Sequence, residues 1–211
     1  MMRLTTERLV LRDFEEDDWP AVLAYQSDPR YLRYYAWTEH DEASVRDFVG
    51  GFGARQREQP RRVFQLAITL LSEGARLIGN CGVRVNDPEQ REGNIGYELA
   101  PDCWGHGYAT EAARALLAFG FEALGLHRIW AECVADNIAS ARVLEKLGMR
   151  REGHFHEHAH FKGRWWDSLV YAILEHEWQG HTEGPHRRTM RDSVPRRRNP
   201  CRKVVPSEHP S

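Results

Sequence analysis

Gly105 and Gly107 stand two residues apart, after a strand-like run and just before a helical pattern. Glycine enters left-handed backbone at no steric cost, so such a pair folds the chain tightly with several N–H groups pointing one way. The helix behind adds about half a positive charge at that end. Together they make an anion site, most naturally for a pyrophosphate. A plain strand-to-helix connection also needs glycine for its turn, so the pair alone leaves both readings open. The stretch is not a dinucleotide fingerprint. Gly105-x-Gly107-x-x-Thr110 lacks the third small residue, and no acidic residue ends a following strand at the required distance. It is not a P-loop either, because no Gly-Lys-Ser/Thr follows.

A second cluster of reactive types is His154, His156, His158 and His160 with Glu157. Strand alternation puts the four histidines on one face and Glu157 on the other. Such an array could serve as a base or hold zinc. A zinc site needs tighter geometry and a ligand from another element, so no metal is expected. Cys81, Cys103, Cys133 and Cys201 have no CxxC spacing and read as reduced, mostly buried thiols of a cytoplasmic protein.

These residues must be positioned by a mixed set of elements. Arg8–Arg12 is a short apolar strand. Four acidic residues, Glu15 to Asp18, precede Trp19-Pro20 and mark a helix start. That helix should stop before Asp28-Pro29. A second helix is expected from Asp41 to about Gln59, with an end or break at Gly50, Gly51 and Gly53. Val63–Leu71 and Ala75–Val85 read as strands around a Ser72-Glu73-Gly74 turn. Asn94–Leu99 is the next strand, stopped by Pro101. Ala113, Leu116, Leu117, Phe121 and Leu124 then form one helical face, closed by Gly125. In His127–Val134, Ile129, Ala131 and Cys133 share the buried side of a strand. Asp136-Asn137 caps a short helix whose Ala141, Leu144 and Leu147 face inward, and Gly148 stops it. Gly153–Leu174 supplies two last strands around Lys162-Gly163.

The expected fold is therefore α/β (α+β): one domain with a mixed, mostly antiparallel central sheet of about seven strands and about four helices. It should span residues 1–180. Residues 181–211 hold 5 of the 10 prolines, 8 Lys/Arg and almost no aliphatics, and are expected to be a disordered basic tail. The tail carries +5, so residues 1–180 carry 21 basic and 28 acidic groups, or −7. That balance argues against a dedicated nucleic-acid binder and suits a cationic substrate. No stretch approaches the roughly 20 apolar residues of a membrane span.

The ordered set of motifs resembles the GNAT superfamily, in its ribosomal-protein-alanine N-acetyltransferase branch. Trp104-Gly105-His106-Gly107-Tyr108-Ala109 is similar to that superfamily's Gln/Arg-x-x-Gly-x-Gly/Ala loop, with Trp104 in place of the usual Gln or Arg. Thr6–Arg12 resembles the branch's opening strand, and Asp28-Pro29 falls where its first helix ends. Asn137-Ile-Ala-Ser140 followed by Glu145-Lys146-Leu147-Gly148-Met149 resembles the helix that lines the pantetheine arm. The likeness covers about residues 3–178.

The resemblance implies acetyl-CoA as cosubstrate and a primary amine as acceptor, most naturally a protein or peptide N-terminus. An aminoglycoside, polyamine or amino acid is the alternative, and a non-catalytic acyl-CoA-binding regulator a further one. It implies that Trp104, Gly105, His106, Gly107, Tyr108, Ala109 and Thr110 hold the pyrophosphate. The backbone of Leu99 and Ala100, in a splayed strand pair, should meet the pantetheine amides and the acetyl carbonyl. Asn137 either caps its helix or bonds the pantetheine arm. Ser140 either packs against the cofactor or protonates the leaving thiolate. Many members carry a tyrosine four residues later, where this chain has Leu144. Glu98 is the candidate base, or else a solvated strand residue. Trp19, Tyr31, Tyr34, Tyr35 and Trp37 lie where the superfamily builds its acceptor pocket. A homodimer is compatible with the family.

Overall fold

The computed structural model describes residues 1–72 and 74–179. Glu73, in the expected turn, and the basic tail at 181–211 lie outside the described residues. The backbone runs β1 (Arg3–Thr5), β2 (Leu9–Asp13), α1 (Trp19–Gln26), α2 (Pro29–Leu32), α3 (Glu42–Gln56), β3 (Val63–Leu70), β4 (Leu77–Asp87) and β5 (Glu92–Leu99). It continues α4 (Tyr108–Ala118), β6 (Arg128–Val134), α5 (Ile138–Lys146), β7 (Arg150–Phe161), β8 (Arg164–Leu174) and α6 (Glu175–Gln179). Eight strands form one sheet in the order β1-β2-β3-β4-β5-β6-β8-β7. The expected mixed, mostly antiparallel α/β architecture is present. The additional strand is β1, whose three residues pair with β2 and are too few to show a hydrophobic period.

Only β5 and β6 run parallel, joined through α4, and they pair only from Glu92–Arg128 to Asn94–Trp130. Beyond that point the two strands diverge, and the sheet opens into a wedge. β6 then pairs with β8 along its whole length, from Arg128–Leu174 to Val134–Ser168. The wedge is therefore held open between two well-anchored half-sheets.

Apolar periodicity covers both faces. On one, α4 buries Ala112, Ala113, Leu116 and Leu117, and α5 buries Ala141 and Leu144. On the other, α1 contributes Val22 and Tyr25, and α3 contributes Val45, Val49 and Phe52. The α3 helix runs unbroken where an interruption at its glycines was expected. Asp41 caps it by accepting the Ser44 N–H at 2.8 Å. Its buried apolar stripe outweighs a cost of about 1 kcal/mol per glycine. A Cβ at Gly50, Gly51 or Gly53 would meet nothing within 4 Å, so these positions leave open space instead of a kink.

Gly79 has the opposite role. It lies in β4 beside a register irregularity of β3 and pairs with Leu99. A Cβ there would fall 2.1 Å from the Glu98 carbonyl oxygen and 2.8 Å from the Leu99 Cα. Gly79→Ala should therefore push β5 outward at its functional end. We expect a loss of about 1–3 kcal/mol in urea unfolding, the usual cost of overpacking. An unchanged denaturation midpoint would show that this close approach is not needed.

Candidate active site

The loop between β5 and α4 is shaped as its glycines require. Gly105 has φ +80° and Gly107 has φ +82°. Gly107 is the N-cap of α4, and no side chain caps the helix there. The first N–H groups of an α-helix have no partner within the helix. An uncapped glycine N-terminus therefore presents free donors and the positive end of the helix dipole to an anion. The residues fit a diphosphate on these grounds.

Arg8 braces the loop from β2's side. Its guanidinium donates to the His106 carbonyl at 2.9 Å and pairs with Glu111 in the first turn of α4 at 2.6 Å. Glu111 also accepts from the Thr6 hydroxyl at 2.6 Å and the Arg8 N–H at 2.9 Å. Burial pushes the Glu111 carboxyl up, but these hydrogen bonds outweigh it and hold the group below its ordinary range. The brace is thus charge-balanced. The sequence placed Arg8 at the start of the Arg8–Arg12 strand but gave it no role, because its partners lie about a hundred residues away.

At the wedge, Trp104 donates its indole N–H to the Leu99 carbonyl at 2.8 Å. The Ala100 N–H goes to the Ile78 carbonyl at 2.8 Å, and the Ala100 carbonyl accepts from Cys103 at 2.9 Å. Both backbone groups of Ala100 are thus engaged within the chain. Alternation along a strand turns the N–H groups of Leu99 and Tyr97 the other way, toward the opening.

Asn137 caps α5: its Oδ1 accepts the Ser140 N–H at 3.2 Å. Ser140 Oγ lies 3.0 Å from the Tyr97 hydroxyl, which also reaches the Ser140 carbonyl at 3.1 Å. Burial raises the Tyr97 phenol above its ordinary range, so it stays a proton donor. Leu144 is 1% exposed and packs in the core. A hydroxyl from β5 thus reaches Ser140, a contact between distant segments that no sequence spacing signals.

Glu98 ends β5 on the opposite face, and five donors converge on it. Oε1 accepts from the Tyr25 hydroxyl at 2.7 Å, from Gln26 Nε2 at 3.0 Å and from Asn80 Nδ2. Oε2 accepts from the Tyr31 and Tyr35 hydroxyls at 2.7 and 3.2 Å. Burial, and then the Glu98 charge, raise the three phenols well above their usual range, so they remain protonated. The carboxylate's four or so lone-pair positions are filled. Glu98 is therefore no solvated strand residue. It forms the floor of a cavity of about 510 Å³ whose walls include Tyr35, Trp37, Phe48 and Phe52.

Of the expected aromatics, Tyr31, Tyr35 and Trp37 belong to this region. Tyr34 instead donates to the Asp136 carbonyl at 3.0 Å, and Trp19 lies under Arg46 at 3.9 Å. The histidines do not share one strand face. A register shift lies between Phe155 and Ala159, with Glu157 at φ +49°, and this bulge breaks the alternation. His154 and His156 both bond Asp167 Oδ2, at 2.8 and 2.9 Å, whereas His158 faces Glu132 at 3.2 Å. The Glu157 N–H and then His154 hold the Asp167 carboxyl down to about 2. The ligand atoms of His154, His156 and Asp167 lie within 4.8 Å of one another, close enough to share a metal ion. Cys81 and Cys133 are buried thiols, and buried Cys103 accepts from Arg76 Nη2 at 3.7 Å.

Residues 8–150 match the acetyltransferase (GNAT) domain. The chain belongs to the GNAT acetyltransferase family. The uncharacterized N-acetyltransferase YnaD of Bacillus subtilis is 38% identical over 177 residues, covering 84% of this chain and 99% of that protein. A GNAT-family acetyltransferase from Bacillus anthracis superposes with a TM-score of 0.73 at 36% identity, over 83% of this chain and 99% of that one. The ribosomal L7/L12 alpha-N-protein acetyltransferase RimL, solved with coenzyme A, shares the fold with a TM-score of 0.72 at 20% identity. That likeness covers 82% of this chain and 98% of RimL. This GNAT chain is an N-acetyltransferase, of a family that uses acetyl-CoA. Among its described residues, no helix is long and apolar enough to cross a membrane.

Proposed function

We propose that this enzyme transfers the acetyl group of acetyl-CoA to the α-amine of a protein or peptide N-terminus, by direct attack within a ternary complex in the cytoplasm. One observation carries the reading. The fixed Glu98 carboxylate forms the floor of the acceptor cavity, one residue from the Leu99 backbone at the wedge. The acceptor amine and the thioester would meet at that point.

Bound acetyl-CoA supplies the activated acyl group. The backbone of Trp104, Gly105, His106, Gly107, Tyr108, Ala109 and Thr110 would hold its diphosphate. The Leu99 N–H would face the acetyl carbonyl and stabilise charge developing on its oxygen. Ala100 would form the wall beside it, and the Asn137 amide would meet the pantetheine chain. Ser140, backed by the Tyr97 hydroxyl, would return a proton to the departing thiolate. The proposed chemistry uses no metal, membrane or specific nucleic acid, and is compatible with a homodimer.

The α-amine is preferred on energetic grounds. An α-amine titrates near 8 and a lysine near 10.4, so neutralising them at pH 7 costs about 1.4 and 4.6 kcal/mol respectively. The cavity floor offers a carboxylate whose lone pairs are already taken. It can accept a proton only as a donor turns away, with Tyr35 or a water as relay. That arrangement suits the smaller task.

A small-molecule amine is the second reading, favoured by a cavity volume typical of small-ligand sites. An acetyl-CoA consumption screen over short peptides with varied first residues, alongside polyamines and aminoglycosides, separates the two. Turnover on peptides and little on polyamines is expected. Coenzyme A binding without turnover on any amine would contradict the proposed reaction.

A further inference from the structure

The sheet face beneath α3 is unusually polar for a covered surface. Cross-strand register places Ala67, Asn80 and Glu98 in one row, Gln65, Gly82 and Gly96 in the next, and Val63, Arg84 and Asn94 in a third. Gln65 and Asn80 are 6% and 3% exposed. They form a hydrogen-bonded chain from arginine to the cavity floor. Arg84 Nη2 donates to Gln65 Oε1 at 3.1 Å, Gln65 Nε2 donates to Asn80 Oδ1 at 2.6 Å, and Asn80 donates to Glu98. The Gln65 side chain fills the place of a Gly82 Cβ, with its Oε1 2.5 Å from that point, whereas Gly96 leaves space above it. Arg84 Nη1 lies 3.9 Å from where a Gly96 Cβ would stand, so its guanidinium folds back over that row.

Four arginines in the described residues are half-buried: Arg12, Arg61, Arg84 and Arg128. Three have carboxylate partners, namely Asp18 for Arg12, Asp13 for Arg61, and Glu92 with Glu152 for Arg128. Arg84 is the exception. Among the described residues, no carboxylate oxygen lies within 4.0 Å of it or of Arg55, which lines the same cavity from α3. Burial, and then the neighbouring Arg55 charge, lower the Arg84 guanidinium below its ordinary range. The Glu98 charge opposes this from across the cavity but makes no direct ion pair, so the two cations face the cavity with no carboxylate in contact, a costly arrangement for the half-buried Arg84. Asp47 also lines the cavity, but on α3 it stands eight residues from Arg55, about 12 Å along the helix. Glu98 is occupied by its five donors.

We propose that the acceptor carries an anion, a carboxylate or a phosphate, on the same molecule as its amine, and that Arg84 with Arg55 binds it. This deepens the reading of the acceptor site proposed above and rests on it. The guanidinium lies over the row next to Glu98, and neighbouring rows on one strand face are about 7 Å apart. The anion therefore sits one residue farther along the acceptor than the reacting amine. A second-residue Asp or Glu side chain, the C-terminus of a dipeptide, or a phosphoserine at position two meets that requirement. The acidic surface of residues 1–180 suggests a cationic acceptor. The cavity itself supports a zwitterionic one.

The test compares steady-state acetylation of Ala-Asp, Ala-Asn and Ala-phosphoserine peptides amidated at the C-terminus, and of dipeptides as free acids and as amides. The full-length enzyme is used as wild type and as Arg84→Met and Arg55→Met. The expected preference for the anionic member of each pair is about ten- to a hundredfold in kcat/KM, the value of a charge-assisted hydrogen bond. Arg84→Met should bring that ratio toward one and leave the KM for acetyl-CoA unchanged. Arg55→Met, at an exposed position of α3, should lower the ratio in part, and supports the proposal independently should the Arg84 variant fold poorly. The peptide and phosphate arms show which anion is taken. Turnover with equal use of charged and neutral acceptors by the wild type overturns this inference and leaves the acetyl-transfer reading standing. Absence of turnover on every amine overturns the acetyl-transfer reading itself.

Discussion

Glu98→Gln is expected to lower kcat by about 100-fold or more, the range of a lost acid–base group. Affinity for coenzyme A should not change. The substitution is isosteric, so the cavity keeps its shape. It replaces an acceptor-only oxygen with an N–H₂ that faces hydroxyls already donating. Tyr31 and Tyr35 converge on one oxygen, and Tyr25, Gln26 and Asn80 on the other. At least one of these groups must reverse. Glu98→Ala would be a poorer test, because it strands several buried donors at about 1–3 kcal/mol each and confounds rate with folding. Single-turnover kinetics with saturating acetyl-CoA, alongside a melting curve, checks the Gln variant. A folded variant within threefold of wild type in rate would remove Glu98 from the chemistry.

Gly107→Glu is expected to weaken coenzyme A binding by about 100- to 1,000-fold. A side chain at φ +82° costs about 1–3 kcal/mol of backbone strain. A carboxylate about 4 Å from a diphosphate adds about 4 kcal/mol of repulsion per unit charge at an effective dielectric of 20. Arg8 offsets part of this, because its Nη2 would lie 3.5 Å from the new Cβ. Gly107→Ala separates the contributions, since it carries the strain without the charge. Equal losses in the two variants would mean that shape alone, and not an anion, governs the loop.

The glycine loop, the helix behind it and the α5 cap could be read from sequence because each is local. Two glycines, an apolar face at helical spacing and an Asn before a helix act over a few residues. The mostly antiparallel sheet followed from counting runs, and only the three-residue β1 escaped. What could not be read depends on register. Nothing in the chain order says that Asn80 stands opposite Glu98, or that Gln65, Gly82 and Gly96 share a row. One signal was available: Gln65 and Asn80 are polar residues inside otherwise apolar strands. Such residues stay buried only when hydrogen-bonded, which already implied a network. The histidine face failed for a related reason. Alternation is reliable until a bulge shifts it, and the shift near Glu157 appears only when β7 is paired with β8.

On the proposed mechanism the free N–H groups at the start of α4 hold the diphosphate of coenzyme A. Calorimetric titration of the folded full-length chain with coenzyme A, and separately with pantetheine, tests it most directly. Pantetheine keeps the arm that enters the wedge and lacks the diphosphate. Saturable binding of coenzyme A is expected, with pantetheine weaker by about 100-fold or more, as befits several lost charge-assisted hydrogen bonds. Equal affinity for the two, or no heat with coenzyme A from a protein that is demonstrably folded, would contradict it.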